Sequence, residues 1–105
     1  MSRAQRGEIW LVDLGMVAKT RPALVLSVTY DDRERAVVTY VPRTTALRGT
    51  RFEVPHAARG FDPGGFDAQG IAGVPSVQLL RRIGVLDGAM LGRVEAAVKN
   101  WLGLT

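Results

Sequence analysis

Apolar positions along the chain fall into short clusters broken by turn residues, and then into one helical stripe at the end. Ile9, Trp10, Leu11, Val12 and Leu14 form the first cluster, opened by Arg6-Gly7-Glu8 and closed by Gly15. It predicts a strand with little polarity. The run Ala23-Leu24-Val25-Leu26 is too short for a helix and lacks helical spacing, so Arg21 to Tyr30 reads as a strand buried on both faces. Gly15 to Thr20 between them has the length of a hairpin connection. Asp31-Asp32-Arg33-Glu34-Arg35 makes a charged turn, and Ala36 to Val41 a third strand of β-branched and aromatic residues that Pro42 is expected to end. Three strands joined by short connections predict an antiparallel meander, with no room for a βαβ unit.

Beyond Pro42 the pattern weakens. Phe52-Glu53-Val54 alternates as a short strand stopped by Pro55, and residues 57–65 are dense enough in Gly and Pro to predict a surface loop. Phe66 to Pro75 reads as a glycine-weakened strand. Val77 to Leu86 is apolar but interrupted by Arg81-Arg82, and part of it is expected to be strand. From Asp87, an N-cap residue, Met90, Leu91, Val94, Ala97, Val98, Trp101 and Leu102 recur with a 3.6-residue period, and Gly103 follows as a C-cap. The expected fold is mainly β with a C-terminal helix: one domain over residues 1–105, a small antiparallel barrel closed by that helix.

Composition narrows the chemistry. A chain of 105 residues supports one modest core. With no cysteine, disulfides and thiolate metal sites are excluded, and a single histidine argues against a zinc site or a histidine-based catalytic pair within one subunit. That histidine, His56, follows Pro55 at a strand end and reads as a surface residue. No apolar run approaches the roughly 18 residues of a membrane span. Met1 to Arg6 lacks the apolar core of a signal peptide, so a cytoplasmic location is expected. The net charge is +4 and the pI about 10.3, and twelve of the 14 basic residues are arginine, the side chain suited to bidentate phosphate contacts. A GC-rich coding bias explains the same abundance of Arg, Ala, Gly and Val, so the charge admits a polyanionic partner without requiring one.

Two places along the chain could carry chemistry. Pro22 fixes its own φ and biases Arg21 towards extended backbone, which sets a guanidinium at the mouth of the second strand. Thr44 and Thr45 lie just past the third strand, among Arg43, Arg48 and Arg51. In a meander whose middle strand is reversed, the start of the second strand lies beside the end of the third, so Arg21 and Thr44 are expected at the same rim of the sheet, provided the register does not slip by one. An arginine with a hydroxyl beside it can grip a phosphodiester; the alternative is a solvated, charged surface. Trp10 fits a core or dimer contact, and Trp101 lies on the apolar face of the helix.

The segments Arg6-Gly7-Glu8-Ile9-Trp10-Leu11-Val12-Asp13, Arg21-Pro22-Ala23-Leu24-Val25-Leu26-Ser27 and Val41-Pro42-Arg43-Thr44-Thr45-Ala46-Leu47-Arg48-Gly49-Thr50-Arg51-Phe52-Glu53-Val54-Pro55 resemble, in order and spacing, the MazF/PemK/Kid toxin endoribonucleases. The ending Leu91 to Leu104 is similar to that family's terminal helix. The resemblance spans nearly the whole chain and is strongest over residues 6–55. It implies an SH3-like barrel, a homodimer, metal-independent and cofactor-free cleavage of single-stranded RNA, and an acidic antitoxin that blocks the site. Operator DNA would be reached only through the antitoxin complex. Matched position by position, the family's phosphate-contacting Arg and Thr fall on Arg21 and Thr44. Lys19, Thr45, Arg43, Arg48, Arg51 and Gln69 are the further candidates for substrate contact; the alternatives are a solvated loop lysine for Lys19 and a plain charged loop for Arg43, Arg48 and Arg51.

The chain also departs from that pattern. The first loop is short, with Lys19 where many members carry a glutamate. Phe66-Asp67-Ala68-Gln69 keeps the glutamine of a later acid and base motif but places its acid one position off, so Asp67 is a weak candidate base. Arg81-Arg82 reads as a solvated edge or a groove lining. These departures leave two other readings open: a non-catalytic RNA- or DNA-binding regulator, and an inactive homologue acting with its antitoxin.

Overall fold

The computed structural model describes residues 4–15 and 19–104; residues 1–3, 16–18 and 105, with the expectations placed on them for the N-terminus and the first loop, lie outside the described residues. The strands are β1 (Glu8–Asp13), β2 (Thr20–Val25), β3 (Val37–Thr44), β4 (Glu53–His56), β5 (Gly64–Asp67), β6 (Ala72–Pro75) and β7 (Leu79–Val85), and one helix, α1 (Gly88–Leu102), closes the chain. The ladder path runs β4-β5-β3-β2-β1-β7, with β6 pairing the early part of β3. Every pairing is antiparallel. Among the described residues no helix is long and apolar enough to cross a membrane.

The expected meander is present, with boundaries that follow backbone chemistry. The second strand stops at Val25 rather than Tyr30, because the Leu26 and Ser27 N–H groups both turn to the Thr39 carbonyl at 2.9 and 3.4 Å. Pro42 does not end the third strand. It is the last β3 residue in the β2 ladder, opposite Ala23, and Arg43 is the first in the β5 ladder, so the missing N–H falls at a change of partner. Pro55 is likewise held inside β4, which ends the ladder path. Gly64 and Gly65, expected in a surface loop, belong to β5: a Cβ at Gly64 would stand 2.2 Å from the Thr44 carbonyl oxygen, and one at Gly65 2.5 Å from that of Val54. The expected strand from Phe66 to Pro75 is broken by a single 3-10 turn over Ala68–Gly70, where the Asp67 carboxylate accepts from the Gln69 N–H at 3.1 Å.

Alternation along β2 and β3 sends side chains into two apolar clusters. Leu24 and its partner Val41 join Ile9, Phe66 and Val94 under the helix, while Ala23, Val25, Tyr40, Val12 and Leu79 fill the other face. β2 is thus buried on both faces, as its sequence predicts. Phe66 is fully buried, and its truncation to alanine is expected to cost about 3–5 kcal/mol. The helix packs Val94, Ala97 and Val98 inward. Its ends are fixed as the sequence predicts: the Asp87 carboxylate accepts from the Met90 N–H at 2.8 Å, and Gly103, at φ +71°, lets the Gly103 and Leu104 N–H groups reach the Asn100 and Lys99 carbonyls. The last turn departs from the predicted stripe, since Trp101 is 43% exposed and rests edge-on against Phe52.

Candidate functional site

The end of β3 is a ridge between two depressions. On one side lies a cleft of about 750 Å³, on the other a smaller hollow of about 320 Å³. Successive β3 residues point to opposite faces, so Arg43 lines the cleft and Thr44 the hollow; just past the strand, Thr45 lines the cleft and Ala46 the hollow.

The floor of the cleft follows from the registers. Leu11 pairs with Pro22 on one side and Arg81 on the other, so these three share a face. Lys19 and Arg21 stand at its mouth, and the loop after β4 brings Arg59, Phe61 and Asp62 over it. Lys19 has a left-handed backbone (φ +57°), held by its N–H to the Gly15 carbonyl and by its own carbonyl to the Leu14 N–H. Among the described residues the side chains of Lys19, Arg21, Arg59 and Arg81 make no hydrogen bond or ion pair. Arg82 does: it pairs across the ladder with Glu8 at 3.1 Å. Burial pushes the Glu8 carboxyl up, but hydrogen bonds from Trp10, Gln5 and Arg82 outweigh it and hold the group below its usual value.

Arg43 is buried at 4% exposure. Its Nε donates to His56 Nδ1 at 2.9 Å, one terminal nitrogen donates to the His56 carbonyl at 2.8 Å, and its guanidinium lies 5.0 Å from the centroid of the Phe61 ring. Burial lowers the Arg43 pKa, with Asp62 opposing. His56 is not the expected surface residue: at 7% exposure it is enclosed by Arg43, Phe61 and Phe66, because β4 turns it inward against β5.

The hollow is built differently. Thr44, Arg48, Glu53, Asp67 and Gln69 surround it. Glu53 accepts from the Arg48 and Thr50 N–H groups at 2.9 and 3.0 Å, which pins the loop after β3 and holds its carboxyl below the usual value. Thr44 Oγ1 accepts from the Ala46 N–H at 3.0 Å, leaving the hydroxyl proton free to donate. Asp67 and Gln69 face Thr44 across the hollow, while Ala68 between them is fully buried.

The structure therefore gathers the predicted residues into two sets. Lys19, Arg21, Arg43 and Thr45 line the cleft; Thr44, Arg48, Asp67 and Gln69 line the hollow. Arg21 and Thr44 share one end of the sheet but not one depression, because the β2–β3 ladder stops at Ala23 and Pro42, two residues before it would set them opposite each other. Arg51 belongs to neither set; its guanidinium stacks 4.5 Å above Phe52. The pairing of His56 with Arg43 and the cleft positions of Arg59 and Phe61 have no local signature in the sequence. Arg81-Arg82 does have one, a doubled charge inside an apolar strand, and Arg81 lines the groove. Among the described residues no three His, Asp or Glu side chains come together as a metal-ion site.

A family model described as PemK-like, MazF-like toxin of type II toxin–antitoxin systems matches residues 5–102. Among solved structures, an endoribonuclease from a mycobacterial species in complex with its cognate antitoxin superposes with a TM-score of 0.83 at 25% identity, over 97% of each chain. The Mycobacterium tuberculosis toxin MazF-mt6 superposes at 0.79 with 28% identity, over 93% of this chain and 98% of that one. MazF in the MazE-MazF complex of Deinococcus radiodurans has the same fold, at 0.84 and 20% identity over the whole of both chains.

Proposed function

Because this chain belongs to the PemK-like, MazF-like toxins of type II toxin–antitoxin systems, we propose that it is an endoribonuclease that cleaves single-stranded RNA across the β3 ridge without a metal ion. The observation that carries this reading is the row of cations around one cleft, of which Arg21, Arg59 and Arg81 are unpaired among the described residues, set against the single carboxylate of Asp62. Such a row attracts a phosphate backbone, and unpaired guanidinium groups keep their donors for it.

In this reading the ribose 2′-OH attacks its own 3′ phosphorus. The new P–O2′ bond forms as the P–O5′ bond breaks, the 2′ proton passes to a base, and the departing O5′ takes up a proton from water. The products are a 2′,3′-cyclic phosphate and a 5′-OH end. Both reacting groups belong to one nucleotide, so the protein needs to align them and stabilise charge on the equatorial oxygens. Arg21 reaches the phosphate from the cleft and Thr44 from the hollow, and Asp67, which lines the hollow with Thr44, is the weak candidate for the base. Arginine itself is a poor base and acts as a stabiliser of charge. Lys19, Arg43, Arg48 and Thr45 contact the flanking strand.

The mycobacterial relative is bound to its cognate antitoxin. For this chain the matching partner is an acidic, extended segment laid over the cationic cleft, with operator DNA reached through that complex. Val77 (84% exposed), Leu80 and Val85 are exposed apolar side chains, as the contacts of a homodimer would require. Incubation of single-stranded RNA with the protein in EDTA tests the central reading: cyclic-phosphate ends that persist in chelator and vanish in Arg21→Ala support it, and intact RNA overturns it. Binding without cleavage would support the second reading, a non-catalytic RNA-binding regulator, which is favoured by the separation of Arg21 from Thr44.

A further inference from the structure

We propose that His56 is a positioning residue for RNA binding: as a neutral imidazole it clamps Arg43 so that one guanidinium nitrogen is presented to the cleft as a fixed donor for a phosphate oxygen. The inference rests on the reading of the cleft as an RNA site.

Arg43 spends Nε and one terminal nitrogen on His56. Its other terminal nitrogen has no hydrogen-bond partner among the described residues and, since no described side-chain polar atom is both buried and unpaired, it keeps some access to solvent beside Gly64, at the edge of the cleft that Arg43 lines. The Phe61 ring and the His56 ring leave the guanidinium little freedom to turn. A donor fixed before binding loses little entropy on contact.

The clamp works in one protonation state. Because Nδ1 accepts from Arg43, the imidazole carries its proton on Nε2 and has no charge. A second proton would go to Nδ1, turning acceptor into donor and setting imidazolium against guanidinium. The charged groups around His56 are Arg43, which opposes that proton, and Asp87 at the helix start, which favours it; Asp62 acts on Arg43. Burial, followed by Arg43, prevails and holds His56 below its ordinary value. Acidification therefore releases Arg43.

The test uses a short single-stranded RNA with 2′-O-methyl riboses, which binds without being cut, titrated by fluorescence anisotropy from about pH 8 to about pH 5. Wild-type affinity is expected to fall about tenfold across the step. In His56→Asn the amide oxygen replaces Nδ1 as acceptor and cannot titrate, so binding should persist and the step vanish. His56→Ala should bind weakly at every pH, with thermal melting confirming that both variants fold. An unchanged step in His56→Asn overturns the proposal. Should the RNA bind no variant, the RNA reading fails separately, and NMR of the chain's one imidazole decides the clamp. An Nε2–H tautomer, together with an Arg43 Nε–H signal lost as the ring protonates, supports it; the other tautomer, or an Arg43 signal indifferent to pH, overturns it.

Discussion

The cleft and the hollow share the last residues of β3 as a common wall, yet they offer opposite chemistries. The cleft collects lysine and arginine around one carboxylate, Asp62, whereas the hollow sets the hydroxyls of Thr44 and Thr50 and an amide beside Glu53, Asp67 and a single arginine. The two-residue period of a strand produces the split: Arg43 and Thr45 fall to one side, Thr44 to the other. A cationic groove supplies affinity for any polyanion, but a hydroxyl facing a carboxylate can donate to an oxyanion and receive a proton. The difference teaches that, in the proposed reading, RNA binding and bond-breaking need not depend on the same residues. A phosphodiester lying on the ridge would draw on both.

The largest effect expected from breaking that division separates the two threonines. If the hollow supplies the hydroxyl, Thr44→Ala should lower the single-turnover cleavage rate by about 10–100-fold, on the scale of one lost oxyanion donor, with Thr45→Ala nearly neutral. The reverse order would move the chemistry into the cleft beside Arg21. RNA binding measured alongside should change little in either variant.

A smaller effect sharpens the assignment of charge. Arg81→Ala in the cleft should weaken single-stranded RNA binding several-fold and reduce the slope of log affinity against log salt by about 1. Arg48→Ala, on the hollow, should change that slope less. Equal slopes for the two variants would mean that the strand tracks both depressions alike.

What could be read from the sequence follows the same division. β2, the capped helix and the meander were legible because burial, period and capping act locally along the chain. Thr44 and Arg21 were legible as a rim, since antiparallel pairing of β2 with β3 fixes which strand ends meet. The ridge was not: it depends on β3 changing partner at Pro42, which rests on Gly64 and Gly65 packing backbone to backbone between β3 and β4. His56 was misread for a related reason. A histidine after a proline resembles a strand end, and its inward turn depends on β4 pairing with β5 and on Arg43, thirteen residues away.

Acid stability probes the cleft side alone in its upper range. The fold holds His56 below 6.5, so the unfolded chain takes up the proton first. Stability should be full above that value and decline as pH falls through the folded-state pKa. Glu8, held below 4.5, adds a loss of the same sign at lower pH. Urea midpoints measured against pH should therefore fall in two stages, and His56→Asn should erase the upper one. A single stage unaffected by that substitution would remove His56 from the account.

The smallest effect concerns the mouth of the cleft. Lys19 is the one non-glycine residue with positive φ among the described residues, a conformation that costs a side-chain-bearing residue roughly 1–2 kcal/mol. Glycine would relieve that cost but give back part of it through a freer unfolded chain, leaving a net gain between zero and about 1 kcal/mol. Lys19→Gly is accordingly expected to raise the melting temperature by a few degrees at most while weakening RNA binding by the share of one phosphate contact. Stability and affinity would then move in opposite directions, the mark of a strained residue kept for its charge. If affinity holds while stability rises, Lys19 is a solvated turn residue and the cationic row begins at Arg21.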